Sequence, residues 1–138
     1  MRIDAFFITN IVFLYYKNKK ADNKMDMTTL VKDEKMIIYL SGEIDHHSAR
    51  EIRDGADRLI ISHRPSVLVL DLAGVDFMDS SGLGLVLGRY RKIKELGGDM
   101  FISNASQRTE KILKMAGVDR IIKTIECDNN TCIGKDNT

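Results

Sequence analysis

The stretch Phe77 to Tyr90, FMDSSGLGLVLGRY, sets two hydroxyls, Ser80 and Ser81, between an acid, Asp79, and a run of glycine and aliphatic residues. Two chemistries suit that pattern. A serine at a helix start accepts from an otherwise unpaired backbone N–H, worth about 1 kcal/mol. One serine suffices for that. A serine in the same place is also a target for phosphorylation, which adds about −1.5 to −2 charges near neutral pH. Helix N-termini favour negative charge, so the fold itself tolerates the group. The surface is what changes, because a small hydroxyl becomes a bulky dianion beside Asp79. A partner packed there meets both steric and like-charge conflict.

The glycines bear on the same choice. Gly84 and Gly88 are four apart and share a helix face with Ser80 or Ser81 just above. Each costs about 1 kcal/mol relative to alanine in a helix interior. That cost implies a close approach, either of the sheet or of a partner. Leu83, Leu87, Tyr90 and Lys94 trace another stripe, expected to be the packing face with the Lys94 stem lying along apolar surface.

Enzyme motifs fit poorly. A hydrolase elbow needs G-x-S-x-G with a converging histidine and acid. Here Met78-Asp79 precede the serines, and of the three histidines two are adjacent. Gly82, Gly84 and Gly88 give G-x-G-x-x-x-G, one residue off the dinucleotide fingerprint, and no G-K-[ST] phosphate loop exists. Asp45-His46-His47 suggests a metal, but adjacent side chains on a helix diverge, so a solvated helix start is expected. No catalytic residue and no metal ligand is assigned.

The elements that position these residues follow from periodicity. Met27–Val31 and Lys35–Ser41 read as a hairpin, with Gly42 and Glu43 ending its second strand. Asp45 is placed to cap a helix over His46–Ser62, where Ala49, Ile52, Ala56, Leu59 and Ile60 recur at three- and four-residue steps. Val67–Leu72 suits a strand buried on both faces, followed by a loop, AGVDFMD, and a helix over Ser80–Leu96 stopped by Gly97-Gly98. A strand at Met100–Ser103, a helix at Ser106–Ala116 and a strand at Arg120–Ile125 complete the alternation. Such alternation predicts a small α/β layer, a mixed and mostly parallel sheet of about five strands with three to four helices.

The chain has 138 residues, enough for one domain with a core. Apolar residues make up 43% and charged residues 30%, a globular composition. With net charge +1 and no basic stripe, nucleic acid is not an expected partner. Residues 1–24 stand apart, with a net +3 against −2 for the remainder. Their apolar run AFFITNIVFLYY is 12 residues long, short of the ~20 that span a membrane, and it lacks the order of a signal peptide. The favoured reading is an upstream extension, 1–26, of a chain that starts at Met25 or Met27. The alternatives are a weak anchor or an added strand or helix, and intact mass of the native protein decides among them. A domain over 27–126 and a polar tail over 127–138 follow. Cys127 and Cys132 lie in that tail and are read as reduced and incidental.

SGEIDHHSA at 41–49, FMDSSGLGLVLGRYRKIKELGG at 77–98 and MAGVDRIIKTIE at 115–126 together resemble the anti-sigma factor antagonists of the STAS domain class, and within them the sporulation branch. The likeness spans about Met27 to Glu126. It excludes the N-terminal extension, and the tail is shorter than the family's usual end. The resemblance implies a STAS-type fold and a cytoplasmic switch. The unphosphorylated antagonist binds an anti-sigma factor that is also a serine kinase, which frees a sigma factor. The kinase uses ATP to phosphorylate the serine directly after the aspartate, here Ser80, and the modified form lets go. A PP2C-like phosphatase restores it. Asp45, Asp79, Ser81, Gly82, Gly84 and Gly88 are then neighbours of the phosphosite or of the bound partner. The chain is a substrate and not an enzyme, with no cofactor and no membrane. The alternatives are a general-stress antagonist, or a module that binds nucleotide weakly at the Ser80 helix start.

Overall fold

The computed structural model describes residues 2–8 and 11–17 at the level of backbone, and residues 26–126 in full. Cys127, Cys132 and the tail reading lie outside them. Seven strands form one sheet in sequence order. The first two, β1 (Arg2–Ile8) and β2 (Ile11–Lys17), pair antiparallel, and β2 pairs antiparallel with β3 (Asp26–Lys32).

From β3 onward lies the five-strand arrangement expected. The hairpin of β3 with β4 (Lys35–Ile44) turns at Asp33, whose φ of 54° is the left-handed conformation that asparagine and aspartate adopt most readily after glycine. Then β5 (Val67–Met78), β6 (Asp99–Ser103) and β7 (Lys123–Ile125) add in parallel. The crossovers are α1 (His46–His63), α2 (Ser80–Glu95) and α3 (Gln107–Met115). Alternation along the strands sorts the apolar side chains. Met36, Ile38, Leu40, Leu68, Leu70, Leu72, Met100 and Ile102 pack with Ile52, Ile60, Val86, Ile93 and Leu113 of the three helices. The opposite face holds Ile37 and Val69, flanked by Leu30, Val67, Phe101 and Ile125.

Two readings of the chain are corrected. Neither Gly42 and Glu43 nor the segment AGVDFMD interrupts the sheet. β4 runs on to Ile44 and β5 to Met78, and the two stay paired to their ends. Register shifts between Tyr39 and Ser41 and between Gly42 and Glu43 absorb the mismatch. Gly42 takes φ 99° there, and a Cβ on Gly74 would sit 2.7 Å from that of Ser41, so glycine is required at this close approach. Near the C-terminus, the strand expected over Arg120–Ile125 is a 3-10 turn, Val118–Arg120, followed by the short β7.

Candidate functional site

Because β4 and β5 are adjacent, parallel and paired to their last residues, α1 and α2 start side by side. Ile44 pairs with Met78, and the Asp79 N–H donates to the Ile44 carbonyl at 3.4 Å. The next residue of each strand is an aspartate in extended conformation, Asp45 and Asp79, and each caps its helix. The carboxyl ends of parallel strands are where open α/β sheets place their binding sites.

Asp45 forms a capping box. Its Oδ1 accepts from the Ser48 N–H at 2.8 Å, and its own N–H donates to Ser48 Oγ at 3.0 Å. The bond from the Ser48 N–H is the main reason its carboxyl sits below the ordinary carboxylate value. A group lowered on folding stabilises the fold above its unfolded value, and that contribution is lost as pH falls through the lowered one. Asp45→Ala is therefore expected to cost about 1 kcal/mol at neutral pH. The difference from wild type should shrink below about pH 4, which thermal melts across pH would show.

The cap of α2 is Asp79 and not a serine. Its Oδ1 accepts from the N–H groups of Ser81 at 2.8 Å and Gly82 at 3.4 Å. Ser80 and Ser81 are the first two residues inside the helix. The capping role expected for one serine is thus already filled by the acid before it. The Ser80 hydroxyl is exposed and makes no hydrogen bond among the described residues. Ser81 is half-buried, with Oγ 3.5 Å from Nδ1 of His46 at the start of α1. His47 turns away toward Glu51, 3.9 Å distant, so the two histidines serve different neighbours.

The three glycines separate. Gly82 is buried, and a Cβ there would lie 2.7 Å from that of Met78, so the underlying strand requires it. Cβ atoms on Gly84 or Gly88 would meet nothing within 4 Å, which removes the sheet as their reason. Both open outward below Ser80, and Phe77, 46% exposed, stands just before the serines. Alanine at Gly84 and Gly88 should each stabilise the isolated fold by up to about 1 kcal/mol, measured as a rise in denaturation midpoint.

The packing face of α2 is also corrected. Leu85, Val86, Arg89 and Ile93 are buried, whereas Leu83, Leu87 and Tyr90 are only partly covered. Lys94 is held over the Tyr90 ring at 5.6 Å and pairs with Asp99 at 3.1 Å. Sequence reasoning missed Arg89 entirely. Its Nε lies 2.9 Å from Oδ1 of Asp57 on α1, though the N–H is not directed at that oxygen, so the contact is an ion pair without a good hydrogen bond. It ties the two helices that carry the site. The signal was there, since Arg89 falls three residues after Val86 and four before Ile93. The other omission is a wall on α1, made by His46 and two arginines, Arg50 and Arg53, facing Ser81 and Gly84 across a groove of about 570 Å³. Among the described residues no group of three or more His, Cys, Asp or Glu could hold a metal, and no helix is long and apolar enough to cross a membrane.

Paired aspartate-capped helices on a mixed sheet define a class, and the STAS domain family model matches residues 26–130. The chain belongs to the STAS family. Within it, the chain is 37% identical over 95 residues to the anti-sigma F factor antagonist of Paenibacillus polymyxa, covering 69% of this chain and 81% of that protein. It is 31% identical over 86 residues to the anti-sigma-B factor antagonist of Bacillus subtilis, covering 62% and 76%. Its fold is similar to that of the anti-sigma factor antagonist SpoIIAA in its unphosphorylated form, at TM-score 0.66 and 29% identity over 75% of this chain and 89% of that one. The Bacillus SpoIIAA has also been solved in a phosphorylated form.

Proposed function

We propose that the chain is an anti-sigma factor antagonist whose unphosphorylated form binds an anti-sigma factor and frees a sigma factor, and whose Ser80 is the phosphorylation site that ends the binding. The observation that carries this is the uncommitted Ser80 hydroxyl. It is exposed, unbonded among the described residues, and released from capping by Asp79. A hydroxyl with no structural task, beside outward glycines and an exposed Phe77, is free to serve as a chemical target.

The physical account is short. In the unmodified chain the partner packs against Phe77, the Ser80 start and the bare backbone at Gly84 and Gly88. Asp45 stands on the adjacent helix start as a fixed carboxylate within the same surface. A phosphoryl group on Ser80 leaves the fold in place, because a helix N-terminus tolerates the charge. It places a dianion beside Asp79, where the partner loses both room and electrostatic complementarity. The anti-sigma factor is proposed to be the serine kinase itself, with a PP2C-like phosphatase reversing the mark in the cytoplasm. The relatives are regulatory proteins, and the role assigned is that of a substrate without a cofactor. The higher identity to the F-type relative than to the B-type one supports a sporulation sigma factor over a general-stress one as the one freed.

The test is reconstituted transcription. The unmodified chain should restore activity to a sigma factor held by its anti-sigma factor, and the Ser80-phosphorylated chain should not. Failure of the unmodified chain against the anti-sigma F and anti-sigma B factors of the same genome would remove the reading. Weak nucleotide binding at the α2 start is the second reading. It requires heat on titrating the chain with millimolar ATP or GTP.

A further inference from the structure

The α1 wall of the α1–α2 groove plays no part in the Ser80 switch as derived above. Its walls are His46, Ala49, Arg50 and Arg53 from α1, and Ser81, Gly84 and Leu85 from α2. Its charged lining is the two arginines, with no carboxylate among these residues. Arg50 is exposed and makes no hydrogen bond or ion pair among the described residues. Arg53, one turn further along α1, reaches only its exposed neighbour Asp54, at 3.3 Å. Pairs of that kind contribute little. Across from these cations α2 presents Gly84, which leaves its backbone open to close approach. Arg50 and Arg53, three residues apart, spring from backbone positions about 4.5 Å apart along the helix axis. Their fork geometry suits carboxylates, and each pair gains strength when a docking chain excludes water from it.

We propose that this groove is a docking slot for an acidic segment of the anti-sigma partner. That segment carries two carboxylates about one helical turn apart to meet Arg50 and Arg53, and it lays its backbone against α2 at Gly84. The proposal rests on the antagonist reading of the chain and adds to it a second point of attachment, next to the Ser80 start and chemically distinct from it. The serine end decides whether the partner can seat. The groove holds it and steers its approach.

The test uses the full chain and the purified anti-sigma factor of the same genome, with affinity measured by titration calorimetry over a series of salt concentrations. Arg50→Glu combined with Arg53→Glu should weaken binding about tenfold or more at low salt and flatten the salt dependence. The milder Arg50→Gln with Arg53→Gln should move both in the same direction by less. Both side chains are exposed, so the variants should melt close to wild type. Arg91→Glu makes the same charge change per residue on α2 at an exposed position outside the groove, and should leave affinity within about twofold.

Equal loss in Arg91→Glu would mean a general field and overturn the slot. Wild-type affinity and salt slope in the double reversal, while Ser80→Asp still weakens binding strongly, would overturn the slot and leave the antagonist reading standing. No binding by wild type would remove both. ATP or inorganic phosphate bound by the free chain in an Arg50-dependent way would make the groove a small-anion site and overturn the proposal.

Discussion

A Ser80→Asp chain is expected to bind the anti-sigma factor roughly a hundredfold more weakly than wild type, while Ser80→Ala binds as tightly and is no longer released by ATP. The size follows from where the charge goes. A carboxylate introduced into a contact surface and left without a counter-charge costs about 2–5 kcal/mol, or some 30-fold to several thousandfold. Asp79, the cap immediately before it, adds like-charge repulsion. The alanine variant removes only an oxygen that makes no hydrogen bond among the described residues, so neither fold nor contact should suffer. The same substitutions at Ser81 should behave differently. Ser81 is half-buried against His46, so its loss disturbs the seam between α1 and α2. Calorimetric titration with and without ATP reads all four variants. Wild-type affinity in Ser80→Asp would refute the charge mechanism.

The largest stability effect is expected at the buried ion pair, and it is asymmetric. Asp57→Ala leaves the Arg89 guanidinium, whose residue is 5% exposed, without its counter-charge between two helices. Burial already pulls the Arg89 pKa down, and Asp57 is the leading opposing influence. Removing one partner of a buried pair costs about 3–5 kcal/mol. Asp57 retains some solvent, so about 3 kcal/mol is expected, a fall in Tm on the order of 12 °C or more. Arg89→Met should cost far less. It removes the desolvated cation and two nitrogens, Nε and Nη1, that lack a good hydrogen bond, and it fills the space with an apolar chain of similar length. Asp57 then relaxes toward water. Thermal melts of both variants and of the double variant would show whether the order holds. Equal losses in the two single variants would contradict the account.

The two expectations meet at the seam between α1 and α2, and so does the boundary of what the residues alone disclose. Asp45 was readable as a cap because a clear apolar helical period, Ala49 to Ile60, follows it. At the second helix three consecutive cap-forming residues, Asp79, Ser80 and Ser81, compete, and composition does not choose among them. The choice is made by β5. Once that strand runs to Met78, Asp79 is the first residue out of the sheet and the only one of the three in extended conformation. Reading 73–79 as a loop hid this. The bulges that keep β4 and β5 paired depend on Gly42 and Gly74, which taken singly look like breakers.

The face of α2 was misjudged for a related reason. Leu83, Leu85, Val86 and Leu87 crowd several sides of the helix at once, and a charged residue, Arg89, occupies the truly buried stripe. Its counter-ion lies 32 positions earlier, and most of the groove wall lies further back still, on α1. Such pairs belong to tertiary structure, and no local period announces them. The outward setting of Gly84 and Gly88 likewise needed coordinates. Spacing placed them on one face without saying whether sheet or solvent lay beyond it.

The central claim is that Ser80, freed from capping, is the switch. Intact mass and site mapping after incubation with ATP and the anti-sigma kinase of the same genome tests it most directly. The account predicts one added phosphoryl group, on Ser80, with loss of the complex as it accumulates. The same group on Ser81, or none while the kinase modifies a control antagonist, would contradict it.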